Sequence, residues 1–238
     1  MIGDNLQAVM SRIEAAVSGA GRPSGAVRLL AVTKTHPPAR IAEAEAAGQN
    51  AFGENYVQEA LEKMDALSQL LGERRARTLE WHLIGPLQGN KTRAAAERFD
   101  WVQSVDREKI ARRLSEQRPA ALAPLNVLIE VNLWGEASKS GVAAKDAAAL
   151  ARAVAGLPRL RLRGLMAIPA PSPEAAVQRA RFRAVRELFE RLRTEGLELD
   201  TLSMGMSDDM EAAIAEGATM VRIGSAIFGA REKVRSAA

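Results

Sequence analysis

Four short segments hold most of the side chains that can do chemistry: AVTKTHP at 31–37, FGENYVQE at 52–59, WHLIGPLQGNK at 81–91 and LSMGMSDD…VRIGSAIFG at 202–229. The first sets a lone lysine, Lys34, at the end of the apolar run LLAV, where a strand gives way to a loop. A charge on a strand buried on both faces is costly unless it is used or paired. Desolvation also favours the neutral amine, the form that condenses with a carbonyl. The last segment ends two strands in Gly205-Met206-Ser207 and Gly224-Ser225, the composition of a phosphate cradle. Glycine lets backbone N–H groups approach an anion, and serine adds a hydroxyl donor. Ser207 also reads as the first residue of a helix, where N–H groups point outward. An amine facing a phosphate site is what an aldehyde-bearing phosphorylated cofactor needs. Arg222 lies two residues before Gly224 and so shares its side of the strand. It reads either as a donor to a cofactor ring nitrogen or as the partner of a carboxylate such as Glu54 or Glu130.

These groups need a frame that brings their strand ends together. Apolar runs predict eight strands, at 27–34, 51–54, 81–85, 101–105, 125–133, 160–168, 201–205 and 220–226. Amphipathic stretches predict helices at 38–47, 56–70, 91–99, 107–117, 143–155, 173–195 and 207–216. Eight strands, nearly every one followed by a helix, point to a parallel (β/α)8 TIM barrel. The strands read as continuous apolar runs, as strands covered on both faces should. A doubly wound open sheet is the alternative, and the G-x-G-x-x-G fingerprint it would carry after its first strand is missing. An extra N-terminal helix, about 4–18, is expected to close the N-terminal end of the barrel. No Pro/Ser-rich linker interrupts the chain, so 1–238 reads as one domain, with the barrel at about 27–229. In such a barrel the functional groups sit at the C-terminal ends of the strands.

Composition removes several classes. The 238 residues are 47% hydrophobic and 26% charged, enough to bury a substantial core. There is no cysteine, which excludes disulfides and thiolate chemistry, and two histidines, His36 and His82, make a histidine-rich metal site an unexpected feature. No metal is expected. Net charge is +4, with arginines such as Arg179, Arg181, Arg183, Arg186, Arg191 and Arg193 on one helical stretch, read as a solvated face. With aromatics at 4% and no recognisable module, nucleic-acid binding is set aside. The N-terminus is amphipathic and carries acidic residues, unlike a signal or transit peptide. No apolar run approaches the ~20 residues of a membrane span. The expectation is a cytoplasmic protein.

AVTKTHP, FGENYVQE, WHLIGPLQGNK, a SVD before a helix, VNLWGEASKSG, LRGLMAIP and LSMGMSDD…VRIGSAIFG, in this order, resemble the pyridoxal phosphate (PLP) homeostasis family. The resemblance spans about 27–229, with Trp134 standing where a smaller residue is expected. It implies a PLP-binding barrel like the barrel half of alanine racemase. It further implies that Lys34 holds PLP as an aldimine and that Arg222 faces the pyridine nitrogen. Ser207, Gly224 and Ser225, with Met206 in the same loop, would hold the phosphate, and Asn55 and His82 would line the ring. Lys139, in the SKSG loop, reads as a solvated lysine. The function implied is PLP homeostasis, with cofactor supplied to apo-enzymes by a monomer. A PLP-dependent amino-acid racemase is the alternative, and a cofactor-free aldolase acting through Lys34 is a third. The carrier is favoured for three reasons. An arginine at the ring nitrogen disfavours its protonation. No second domain supplies an opposing acid or base. The single tyrosine, Tyr56, starts a helix and reads as a packing residue.

Overall fold

The computed structural model describes residues 1–135 and 140–229. Nine strands run through them: β1 (Arg28–Val32), β2 (Ala51–Glu54), β3 (Glu80–Leu83), β4 (Trp101–Val105), β5 (Leu125–Asn132), β6 (Val142–Ala143), β7 (Leu160–Ala167), β8 (Thr201–Ser203) and β9 (Met220–Ile223). All pairings are parallel, in the order β4-β3-β2-β1-β9-β8-β7-β5, and a β4–β5 pairing closes the ring into an eight-stranded barrel. β6 is a short addition to the mouth end of β5.

Helices α1 (Ile2–Gly19), α2 (Pro38–Ala46), α3 (Val57–Leu71), α4 (Glu73–Ala76), α5 (Thr92–Arg98), α6 (Glu108–Gln117), α7 (Ala144–Ala155), α8 (Ala175–Thr194), α9 (Met210–Ala215) and α10 (Ser225–Phe228) surround the barrel. Alternation along each strand sorts the side chains. Leu29, Ala31, Val221 and Ile223 join the large apolar layer between strands and helices. Leu30, Val32 and Met220 point the other way. With Ala51 and Ile84 they form a separate apolar cluster inside the barrel, and Trp101, Leu128 and Met166 form a second.

Two features depart from the sequence reading. The first is α1. It does not plug the barrel's end but packs beside α2, α9 and α10 in the outer ring. The reason is that, among the described residues, β9 is followed by the four-residue α10 alone, too short to cover β9 and β1. α1 supplies the missing eighth helix, burying Ile2, Leu6, Val9, Ile13 and Val17 at helical spacing. The second is the arginine-rich face of α8. Arg179, Arg183 and Arg186 are not merely solvated. They converge on the buried carboxylate of Glu216, at 2.9, 3.0 and 3.2 Å, and tie α8 to the end of α9. Burial works against the Glu216 charge, and the arginines outweigh it, holding its pKa below the usual carboxylate range.

An outer-ring role for α1 makes its stripe part of the cooperative core. Ile13→Ala, at a fully buried position, should cost about 2–5 kcal/mol in denaturant unfolding, with a single transition. A cost below about 1 kcal/mol would mean that α1 is peripheral to the barrel.

Candidate functional site

Lys34 lies in the turn that follows β1, and the backbone on both sides of it is pinned. A second lysine does this. Lys63, on α3 and only 5% exposed, points under the turn and donates to the Thr33 carbonyl at 2.7 Å, to Glu54 Oε1 at 2.7 Å and to Glu59 Oε1 at 2.6 Å. Glu59 Oε1 in turn accepts the Thr35 N–H at 2.5 Å, and the Thr33 hydroxyl donates to Glu54 Oε1 at 2.6 Å. The residues before and after Lys34 are therefore tied to α3 and to the end of β2. Thr35 has φ +68°, a left-handed conformation that is unfavourable for a β-branched residue and that its bond to Glu59 helps to maintain. Burial raises the Glu54 pKa, with Lys63 and Thr33 opposing the rise.

A cavity of about 240 Å³ opens beside this turn at the C-terminal mouth of the barrel. Seven of the eight residues singled out from sequence line it: Lys34, Asn55, Met206, Ser207, Arg222, Gly224 and Ser225. The Ser207 and Ser225 hydroxyls approach to 3.4 Å, so the loops after β8 and β9 present their donors side by side. Ser207 does not start a helix, as its sequence context suggests. The Asp209 side chain accepts the Met206 N–H at 2.6 Å, closing a turn over 206–209, and Asp209 itself is non-helical, so α9 begins at Met210. The turn is braced from outside by Arg12 of α1, which donates to the Ser207 carbonyl at 3.2 Å and to Glu211 at 2.7 Å.

His82 is the eighth, and the structure places it elsewhere. It is 0% exposed, inside the barrel below the cavity, and stacks on Trp101 with ring centroids 5.1 Å apart. Alternation explains the position: His82 lies two residues before Ile84, the residue just past β3 that does reach the mouth. His82 belongs instead to a hydrogen-bond chain that begins at Arg222. Arg222, 4% exposed, donates from Nη1 to Ser203 Oγ at 2.8 Å and from Nη2 to the Ala167 carbonyl at 2.9 Å. Ser203 donates to Gln103 Oε1 at 2.7 Å, and the Gln103 amide meets His82 Nδ1 at 2.8 Å. His82 Nε2 meets Glu80 Oε1 at 2.6 Å, which also accepts from Arg28 at 3.0 Å.

Burial opposes the Glu80 charge, but His82 and Arg28 hold its pKa low. A carboxylate only accepts, so Nε2 carries the imidazole proton and Nδ1 accepts from Gln103. Burial lowers the His82 pKa, keeping the ring neutral. It also brings the Arg222 pKa down to about 10, with Asp209 and Glu130 opposing. Two of the five N–H donors of Arg222 are used in these bonds, and its guanidinium faces the cavity.

A second cavity, of about 210 Å³, adjoins the first and shares Asn55, Ile84 and Ile168 with it. Gly85 allows the two walls to meet: a Cβ there would come within 2.2 Å of the Asn55 carbonyl oxygen. Glu130 lines this second space with Asn132, Trp134 and Ser140. Glu130 is 7% exposed and its Oε2 has no hydrogen-bond partner. Burial pushes its pKa up to about 7, Asp106 adding to the rise and Arg222 opposing it. Sequence reasoning offered Glu130 as an ion-pair partner of Arg222. The two sense each other's charge, but Arg222 makes its hydrogen bonds to Ser203 and Ala167. Glu54, the other suggested partner, is engaged by Lys63.

Lys63, Gln103 and Ser203 were not singled out from sequence. Lys63 sits in an ordinary amphipathic helix, and its partners lie up to 30 residues away. Gln103 had a signal: a polar side chain with the inward parity of Trp101 on a strand buried throughout. Tyr56 is 62% exposed at the start of α3 and lines neither cavity. Lys139 lies outside the described residues. Among the described residues there is no group of three or more His, Asp or Glu placed to hold a metal ion, and no helix long and apolar enough to cross a membrane.

Comparison with known proteins adds to this geometry. Residues 5–232 match the family model of the alanine racemase N-terminal domain. The pyridoxal phosphate homeostasis protein of Pseudomonas aeruginosa is 60% identical over 231 residues, covering 97% of this chain and 96% of that protein. Its Escherichia coli counterpart is 55% identical over 231 residues, covering 97% of each. Among solved structures, PipY of Synechococcus elongatus superposes with a TM-score of 0.84 at 38% identity, covering 96% of this chain and all of that one. PipY has been solved without PLP and with PLP bound.

Two stability measurements test the electrostatics of the site. Lys63→Met should cost about 3–5 kcal/mol near neutral pH, because it leaves Glu54 buried and unpaired. The cost should shrink toward acid pH as Glu54 takes up a proton, and a pH-independent cost would argue for lost packing alone. For Glu130, the folded state binds a proton that the unfolded chain releases near 4.5 and the folded chain releases near 7. Its contribution is therefore most favourable below about 4.5 and is lost as pH rises to about 7. Against Glu130→Gln, the protein should lose about 3 kcal/mol across that window, followed by parallel denaturation series. Parallel pH profiles for the two proteins would refute the assignment.

Proposed function

We infer the function from a premise the comparisons supply: the chain belongs to the alanine racemase N-terminal domain family and, with it, to the pyridoxal phosphate homeostasis proteins. We propose that it binds pyridoxal 5′-phosphate in the 240 Å³ cavity, holds it through Lys34, and supplies it to apo-enzymes. The observation that carries this reading is one space lined by an amine, a guanidinium and two adjacent serine hydroxyls. That donor set fits a compact molecule with an aldehyde, a ring nitrogen and a phosphate. Bound there, PLP supplies a reactive aldehyde and an electron-withdrawing ring.

The chain's residues then take distinct parts. Lys34 provides the amine that captures the aldehyde. Ser207 and Ser225 donate to the phosphate, together with backbone N–H groups at Gly224 and Ser225; the first N–H groups of α10 have no acceptor within the helix. Met206 and Asn55 wall the space. Arg222 donates to the ring nitrogen. A guanidinium with a pKa of about 10 stays charged at neutral pH, so it keeps that nitrogen unprotonated and weakens the ring as an electron sink.

This favours a carrier over a catalyst. A racemase needs a second acid or base opposite the lysine, and Tyr56 is exposed outside both cavities. We take the protein to act as a cytoplasmic monomer.

Borohydride reduction of the PLP-loaded protein, followed by peptide mapping, should place the pyridoxyl group on Lys34, and Lys34→Ala should lose both the label and the visible absorbance band. Replacing Ser207 and Ser225 together by alanine should weaken PLP binding at least tenfold, given about 1.5–3 kcal/mol for each charge-assisted bond. The loaded protein should restore activity to a PLP-dependent apo-enzyme. Label on another lysine would overturn the Lys34 assignment. Racemisation of L-alanine at the ~1–10³ s⁻¹ typical of enzymes would overturn the carrier role.

A further inference from the structure

The second cavity contains a group that the first does not use. Glu130 is more than nine-tenths buried, lines the space, and has a carboxyl oxygen with no hydrogen-bond partner. A buried acceptor without a partner carries its desolvation cost uncompensated, the more so when charged, and a ligand that satisfies it recovers that cost. The acceptor is a carboxyl, so the best ligand group is a cationic N–H donor. The rest of the wall sets size and polarity. Ile84, Trp134 and Ile168 offer apolar contact, and Asn132 and Ser140 add neutral polar atoms. At about 210 Å³ the space takes a molecule of a few carbons. Among the described lining residues Glu130 is the one ionisable side chain, and against those residues a ligand carboxylate meets like charge and no counter-ion.

We propose that this cavity is a binding subsite for a small aliphatic primary amine lacking a carboxylate, its ammonium donating to Glu130. The subsite opens onto the Lys34 cavity through the shared wall of Asn55, Ile84 and Ile168. It stands whether or not the neighbouring cavity holds PLP. Among the described residues, the ionisable groups acting on Glu130 are Asp106, which raises its pKa, and Arg222, which lowers it. An ammonium adds to the effect of Arg222, so binding draws the proton off Glu130 and strengthens with pH.

The test uses the full chain freed of cofactor, so that no carbonyl traps the probe, with n-propylamine as ligand and propionate and L-alanine as controls, all in calorimetric titrations. Propylamine stays protonated from pH 6 to 8, so any change in that range belongs to the protein. Its affinity should rise about tenfold between pH 6 and pH 8, following the ionised fraction of a carboxyl with a pKa of about 7. Glu130→Gln, nearly isosteric, should abolish the pH dependence and weaken binding at pH 8 at least tenfold, and Glu130→Asp should keep the dependence. Propionate and L-alanine should bind at least tenfold more weakly than propylamine at pH 8. Equal affinity in wild type and Glu130→Gln, a flat pH profile, or L-alanine binding as tightly as propylamine would each overturn the proposal. Loss of PLP binding in Lys34→Ala with amine binding intact would separate the two cavities. Loss of both together would count against an independent subsite.

Discussion

The site depends on how a cavity-lining lysine, Lys34, is held on a loop. A side chain at the end of a strand inherits the mobility of the turn that follows, and the carbonyl capture proposed for Lys34 needs its amine in one place. Here the turn is fastened from below by Lys63, whose three hydrogen bonds join the carbonyl before Lys34, the end of β2 and a carboxylate on α3. That carboxylate, Glu59, also holds the amide after Lys34. Two lysines thus divide the work. The buried one makes its bonds to protein acceptors and fixes the backbone, while the other faces the cavity. Both helix and strand must be in place before the turn is, so the position of Lys34 is a property of the folded barrel.

The opposite wall is built by another route. The Ser207 and Ser225 loops meet because β8 and β9 are neighbours, and α1 braces the Ser207 turn from outside through Arg12. The helix that completes the outer ring at the seam between the ends of the chain therefore also steadies one loop of the cavity. The two cavities differ in charge. Among the described residues, one is lined by Lys34 and Arg222, with Asp208 beside them, and the other by a single carboxyl. Ile84 and Ile168 line both spaces, and across them Arg222 and Glu130 still act on each other's charge.

Much of this is legible in the sequence because strand order and strand ends follow from apolar runs and their punctuation. β2 and β4 begin and end where the pattern puts them. The runs over-reach mainly at the mouth: β9 stops at Ile223 because Gly224 turns the chain into α10. Residues that line the mouth at strand ends could be named, since the barrel rule converts sequence position into location. Residues that act by pairing across the fold could not. Lys63 looks like any helical lysine until α3 is laid against β1. The inward parity of Gln103 and Ser203 is readable, but their partnership needs strands 100 residues apart to be joined across the barrel. His82 failed for the same reason: its parity points inward, and only the depth of the barrel decides that it stops below the cavity. The outer-ring place of α1 needed the length of α10, which apolar patterning does not give.

The chain from Arg222 to Glu80 has a direction. At each link the donor lies toward the mouth and the acceptor toward the floor: Arg222 to Ser203, Ser203 to Gln103, Gln103 to His82, His82 to Glu80. The dipoles of the hydroxyl, the amide and the imidazole therefore add instead of cancelling. Their negative ends lie toward the guanidinium and their positive ends toward the carboxylate. Three oriented groups thus run through the middle of the barrel between Arg222 and a Glu80 carboxylate that Arg28 pairs directly at 3.0 Å. No single link can be reversed alone, because turning the glutamine or shifting the imidazole proton would set donor against donor or acceptor against acceptor at the next one. The charge at the mouth and the charge at the floor are thus polarised as one column, and the guanidinium carries into the cavity a field anchored at the far end of the fold.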